Sequence, residues 1–76
     1  MFEKIAALMA EELAIPQDKI TAEARLKEDL GVNSIDFAEL VMQLEEELDI
    51  ETDSDELRGI KTVGDLVAYL EAKQAR

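Results

Sequence analysis

The sequence contains no cysteine and no histidine. Without thiols there is no disulfide, no thiolate zinc site and no cysteine nucleophile, and without imidazole there is no histidine-based triad. Basic residues are scarce too, with 8 Lys and Arg against 19 Asp and Glu and a formal net charge of −11. A surface this negative repels phosphate backbones, so nucleic acid is not an expected partner. It attracts basic proteins with a salt-dependent on-rate, unless the acidity serves solubility alone. Long apolar runs are missing, and none approaches the roughly 18 residues of a membrane span. The N-terminus shows no basic flank, long apolar run or small-residue cleavage site, and so no sign of a signal peptide. The lack of cysteine fits a cytoplasmic location.

A length of 76 residues makes one small domain, residues 1–76, with no room for a deep catalytic cleft and its scaffolding. An enzyme is therefore not expected. Disorder is disfavoured, because 47% of the residues are hydrophobic and their spacing is strongly periodic.

Phe2, Ile5, Ala6, Met9 and Leu13 recur at spacings of three and four, which predicts a helix over about 2–14 that Pro16 stops. Residues 16–32 lack a sustained period. Ile20, Leu26, Leu30 and Val32 are apolar anchors there, and a short helical turn is expected at Ala22–Arg25. Loops of this length inside a compact domain are often functional. A second helix is predicted over 34–48, with Asn33 as N-cap and Asp36 three residues on. Its core face holds Phe37, Leu40, Val41, Leu44 and Leu48. Its other face groups Ile35, Glu39, Met42 and Glu46, flanked by Asp36 and Gln43. Exposed Ile35 and Met42 ringed by carboxylates suggest a small docking surface, although single exposed apolar residues are common.

A third, short helix is predicted over 54–58, capped by Asp53 or Ser54 and closed by Gly59 at C′, with Leu57 and Ile60 facing inward. With few contacts it should be the least stable element. A fourth helix is predicted over 63–73. Thr62 and Asp65 form its capping box, Val63, Leu66, Val67 and Leu70 its stripe, and Lys73 and Arg76 suit its C-terminal end. The expected fold is all-α, a small four-helix bundle with three main helices and one short one.

The acidic run Glu45–Asp55 fails as a calcium loop, because a start at Asp49 puts Ser54 at the glycine position and Ile60 at that of the bidentate glutamate. Ser34 stands at the head of the second helix, after Leu30-Gly31-Val32-Asn33. It lacks a base and a Gly-x-Ser-x-Gly elbow, which argues against a hydrolytic nucleophile. Two readings remain from the residues: a modification site favoured by the helix N-terminus, or simply part of the cap.

The stretch Leu30-Gly31-Val32-Asn33-Ser34-Ile35-Asp36, followed by Glu39-Leu40-Val41-Met42 and Leu44-Glu45-Glu46-Glu47, resembles the acyl carrier proteins of dissociated (type II) fatty acid synthesis. Glu28-Asp29-Leu30-Gly31, Ile60 and Thr62-Val63-Gly64-Asp65 extend the resemblance over nearly the whole chain. It implies a carrier, not an enzyme. Ser34 would bear 4′-phosphopantetheine, added from coenzyme A by a phosphopantetheinyl transferase, and the arm's thiol would hold acyl chains as thioesters. It implies docking of fatty acid synthesis enzymes, through basic patches, on Ile35, Asp36, Glu39, Met42, Glu45 and Glu46. It implies an acyl pocket lined by Val41, Leu44, Leu57, Ile60, Leu66 and Leu70, with the thin third helix as its door, in a protein expected to be monomeric. The family's common Asp-Ser-Leu is here Asn33-Ser34-Ile35, which removes one charge beside the attachment point. Phe37 is bulky for its place, and Arg58 puts a positive charge on the third helix. A specialised carrier of polyketide, aminoacyl or D-alanyl groups, and an unmodified acidic interaction module, are the alternative functions.

Overall fold

Apolar side chains at every third or fourth position give a helix one face to bury. Over residues 1–74, which the computed structural model describes, four α-helices form: α1 (Phe2–Leu13), α2 (Ser34–Leu48), α3 (Ser54–Leu57) and α4 (Val63–Gln74). Lys73 stands in the last turn of α4; Arg76 lies outside the described residues. Helix α1 packs against both α2 and α4. Ile5 and Met9 of α1, Leu40 and Leu44 of α2, and Leu66 and Leu70 of α4 are fully buried. No described polar or charged residue is buried, so the core carries no desolvated charge. No helix among the described residues is long and apolar enough to cross a membrane.

The helix starts follow their capping chemistry. Asn33 Oδ1 accepts the Asp36 N–H at 2.8 Å, and Asp53 Oδ1 accepts the Asp55 N–H at 2.8 Å. At the head of α4 the capping box is reciprocal. Asp65 donates its N–H to Thr62 Oγ1 at 3.1 Å, and its carboxylate accepts the N–H of Thr62 at 3.2 Å. The Lys61 N–H points at the same carboxylate, at 3.3 Å.

The helix ends differ in part from expectation. Helix α1 stops at Leu13, one residue before the expected bound, because Ala14 turns left-handed with φ 54°. The N–H groups of Ala14 and Ile15 then both reach the Ala10 carbonyl. Helix α2 closes the same way, with Asp49 at φ 54° and the Ile50 N–H on the Glu45 carbonyl. Gly59 does not act as a left-handed C′ residue. Arg58 stays right-handed, and the N–H groups of Gly59 and Ile60 bond to Glu56 and Leu57 at 3.3 and 3.1 Å, so the chain leaves α3 through successive tight turns.

In the long connection between α1 and α2, the turn expected near Ala22–Arg25 reduces to one bond, from the Ala24 N–H to the Thr21 carbonyl at 3.1 Å, and no helix forms there. A 3-10 turn forms earlier, at Gln17–Lys19, where Pro16 sets the entering backbone. Residues 22–26 are drawn instead into an antiparallel contact with the lead-in of α4. Leu26 donates to Lys61 O at 2.9 Å, Val63 to Ala24 O at 3.0 Å and Gly64 to Ala22 O at 2.9 Å. A Cβ at position 64 would sit 3.0 Å from the Ala22 carbonyl oxygen, a tight contact that favours glycine at this approach. The pairing buries Ile20, Leu26 and Val32, while Leu30 stays half-buried.

The Thr62 and Lys61 N–H groups hold the Asp65 carboxyl below its ordinary pKa. A depressed carboxyl contributes stability above its unfolded pKa and loses it as pH falls through the folded one. In parallel urea titrations, Asp65→Asn should therefore be less stable than the wild type at neutral pH. The gap should close only in acid, below the ordinary carboxylate range.

Candidate functional site

Ser34 is the first residue of α2 and is exposed. The Asn33 cap and the preceding bend fix where it points. Gly31 takes φ +68°, open to glycine at no steric cost, and Val32 turns inward with its N–H on the Leu26 carbonyl at 2.8 Å. The chain therefore rises out of the core at Asn33 and presents Ser34 at the rim of a cavity of about 560 Å³. That volume is within the usual range for small-molecule sites, roughly 300–1,000 Å³.

Three of the residues expected to line an acyl pocket do line this cavity: Val41, Leu57 and Ile60. Val41 is buried yet lies outside the main core cluster, so it faces the cavity. Leu57 and Ile60 are half-buried. Leu44, Leu66 and Leu70 do not line it. They are fully buried in the core between α1, α2 and α4, because their stripes are spent on α1. Leu26, Val32 and Phe37 take their place on the cavity wall. Phe37, placed on the core face by its spacing, is half-buried at the Ser34 end. Helical periodicity fixed that face but could not show which loop would lie beside it.

The outer face of α2 keeps its two exposed apolar residues, Ile35 at 69% and Met42 at 62% of full exposure. Glu39 and Glu46 are exposed beside them, and Asp36 is half-buried. Glu45 is drawn off this face. Its Oε2 accepts both the N–H and the hydroxyl of Thr52, each at 2.9 Å, and so anchors the connection to α3.

Helix α3 buries no residue of its own. A polar latch ties it to α4. The Tyr69 hydroxyl accepts the Asp53 N–H at 3.0 Å and donates to Glu56 Oε1 at 2.7 Å. Lys73 Nζ pairs with the same oxygen at 3.0 Å and stands 5.4 Å from the Tyr69 ring centre. Burial pushes the Tyr69 phenol above its ordinary pKa, so it remains a hydrogen-bond donor at neutral pH. Sequence reasoning missed Tyr69. A lone tyrosine on the edge of an apolar stripe is the one signal it left.

The cavity wall also gathers charge of the scarce sign. Arg25, Lys27, Arg58 and Lys61 line it, with Glu28 as the one carboxylate among the described residues. Arg25 grips Asp29 through Nε and Nη2, both at 3.2 Å, and also pairs with Glu28. The Arg25 hydrogen bond holds the Asp29 carboxyl below its ordinary pKa.

The profile of a family described as "Phosphopantetheine attachment site" matches residues 3–70. Acyl carrier proteins from Clostridium perfringens strains SM101 and 13 are each 44% identical to this chain over 70 residues, covering 92% of it and 92% of their own length.

Removing the latch should free α3 without unfolding the core. In Tyr69→Phe, loss of about 1 kcal/mol of hydrogen bonding should speed amide exchange in α3 about fivefold. Exchange in α1 should be unchanged.

Proposed function

We propose, from the premise that this chain belongs to the acyl carrier protein family with its phosphopantetheine attachment site, that Ser34 is the residue that bears the arm and that the loaded protein serves fatty acid synthesis. The chain is a carrier and not an enzyme. 4′-Phosphopantetheine supplies the terminal thiol that holds an acyl group as a thioester, which a chain without cysteine cannot supply itself. The observation that carries the proposal is the placement of Ser34. It is an exposed hydroxyl at the head of α2, on the rim of an apolar cavity of about 560 Å³.

Each element then has a task. Asn33 and the Gly31 bend hold the hydroxyl outward for a transferase. Phe37, Val41, Leu57 and Ile60 offer apolar surface to an acyl chain, and each methylene buried there contributes about 0.8 kcal/mol. Helix α3, held by hydrogen bonds more than by packing, can yield as the cavity fills. Glu39, Glu46, Asp36, Ile35 and Met42 form the face that meets basic patches on the transferase and the synthesis enzymes. Glu45, engaged by Thr52, supports that face from its edge. The span 1–76 works as one attachment domain, a monomer in the cytoplasm.

Incubation with coenzyme A and a broad-specificity transferase should add one phosphopantetheine to the wild type, read by intact mass. Ser34→Ala should stay unmodified with an unchanged circular dichroism spectrum. The loaded protein should be accepted by fatty acid elongation enzymes and refused by amino-acid-adenylating ligases. No mass gain while a known carrier is loaded would refute the attachment.

Charge reversal on the docking face has its own signature. Glu39→Lys or Glu46→Lys should lower partner kcat/KM about tenfold at low salt and flatten its salt dependence. Melting temperature should barely move. Unchanged turnover in both variants would remove the face from the account.

A further inference from the structure

We propose that Lys27 and Lys61 hold the phosphodiester of the arm on Ser34, so that the arm starts along the cavity rim and does not swing freely. This rests on attachment at Ser34. The first ground is the charge distribution. In a chain with a net charge of −11, four basic residues and only one acidic one among the described residues stand on the wall of a single cavity. Mutual repulsion among cations is costly wherever no carboxylate answers them.

The second ground is how those cations are engaged. Arg25 is occupied by Asp29 and Glu28. Arg58 has Asp55 at 3.7 Å, with both side chains more than four-fifths exposed. Lys27 and Lys61 form no ion pair among the described residues. The third ground is that the scaffold fixes their neighbourhood. Leu26, which precedes Lys27, donates its N–H to the Lys61 carbonyl at 2.9 Å, so both lysines stem from one pinned crossing.

Ser34 lies on the same wall, and the residue before it, Asn33, is uncharged. A phosphorus bonded to the Ser34 oxygen therefore begins on the wall of the cavity that these two lysines also line, within reach of their flexible stems. A phosphodiester carries one negative charge at neutral pH. Lysine suits it as a point charge on a flexible stem that follows the group without needing a fixed fork. Held there, the arm leaves Ser34 toward the apolar mouth, which shortens the path of its thiol to Leu57 and Ile60. Both ammonium groups are solvated, so the hold is electrostatic and yields to salt.

The experiment is 31P NMR on the protein loaded with phosphopantetheine, after intact mass has confirmed one arm per chain. Salt is raised from about 0.01 to 1 M, over which the screening length falls from about 30 to about 3 Å. The wild-type line should be broad at low salt and should narrow and shift as salt rises. Lys27→Gln/Lys61→Gln should give a narrow line with no salt response. Lys4→Gln/Lys19→Gln, which leaves the cavity wall intact, should behave as the wild type. A loaded wild type whose line ignores salt overturns this inference alone, and so does a double variant at 27 and 61 that keeps the wild-type response. Absence of any mass gain overturns both this inference and attachment at Ser34. The wild-type titration needs no variant, so the test stands even if a substitution disturbs folding.

Discussion

The backbone crossing between residues 22–26 and 61–64 is the contact on which the rest of this structure depends. Three hydrogen bonds of 2.9 to 3.0 Å tie the middle of a long loop to the head of α4. Each contributes about 1 kcal/mol net, which is modest. Its larger effect is geometric. The crossing buries Leu26, and the Val32 N–H then bonds back to Leu26 at 2.8 Å, which sets where the chain turns at Gly31 and where α2 begins. The position of Ser34, one wall of the cavity and the placement of Lys27 and Lys61 all follow from that one tether. Glycine at position 64 lets the two backbones come that close.

Helix α2 then divides two apolar environments. Leu40, Leu44 and Leu48 complete a dry core with α1 and α4, while Phe37 and Val41 look into the cavity. The core is filled by its own side chains, whereas the apolar lining of the cavity lacks partners on one side. Its cover, α3, contributes no buried side chain and is fastened by Tyr69, Glu56 and Lys73. Tight packing and a loosely fastened cover thereby fall to different residues.

Much of this was legible in the sequence, because it is local. The periods of α1, α2 and α4 set their faces, and the Asn33, Asp53 and Thr62–Asp65 caps fall where short-range hydrogen-bonding chemistry puts them. What was not legible depends on distant neighbours. Leu66 and Leu70 read equally well as core or as cavity lining until α1 is seen lying against them. Glu45 shares its helix with the exposed face of Ile35 and Met42, yet Thr52 claims it from seven residues away. The left-handed turn at Ala14 stops α1 without glycine, a choice no propensity would favour. The cationic rim was invisible because Arg25, Lys27, Arg58 and Lys61 are separate in sequence until the 22–26 and 61–64 crossing assembles them.

With the arm on Ser34, a tethered acyl group should enter the cavity beside α2 and α3 rather than the core between the long helices. Isotope-filtered NOE spectra of the protein carrying a 13C-labelled medium-length acyl thioester would locate it. The acyl methylenes should show contacts to the methyl groups of Val41, Leu57 and Ile60, with none to Leu44 or Leu70. Contacts to Leu44 and Leu70, or an acyl chain with no protein contacts at all, would rule this path out.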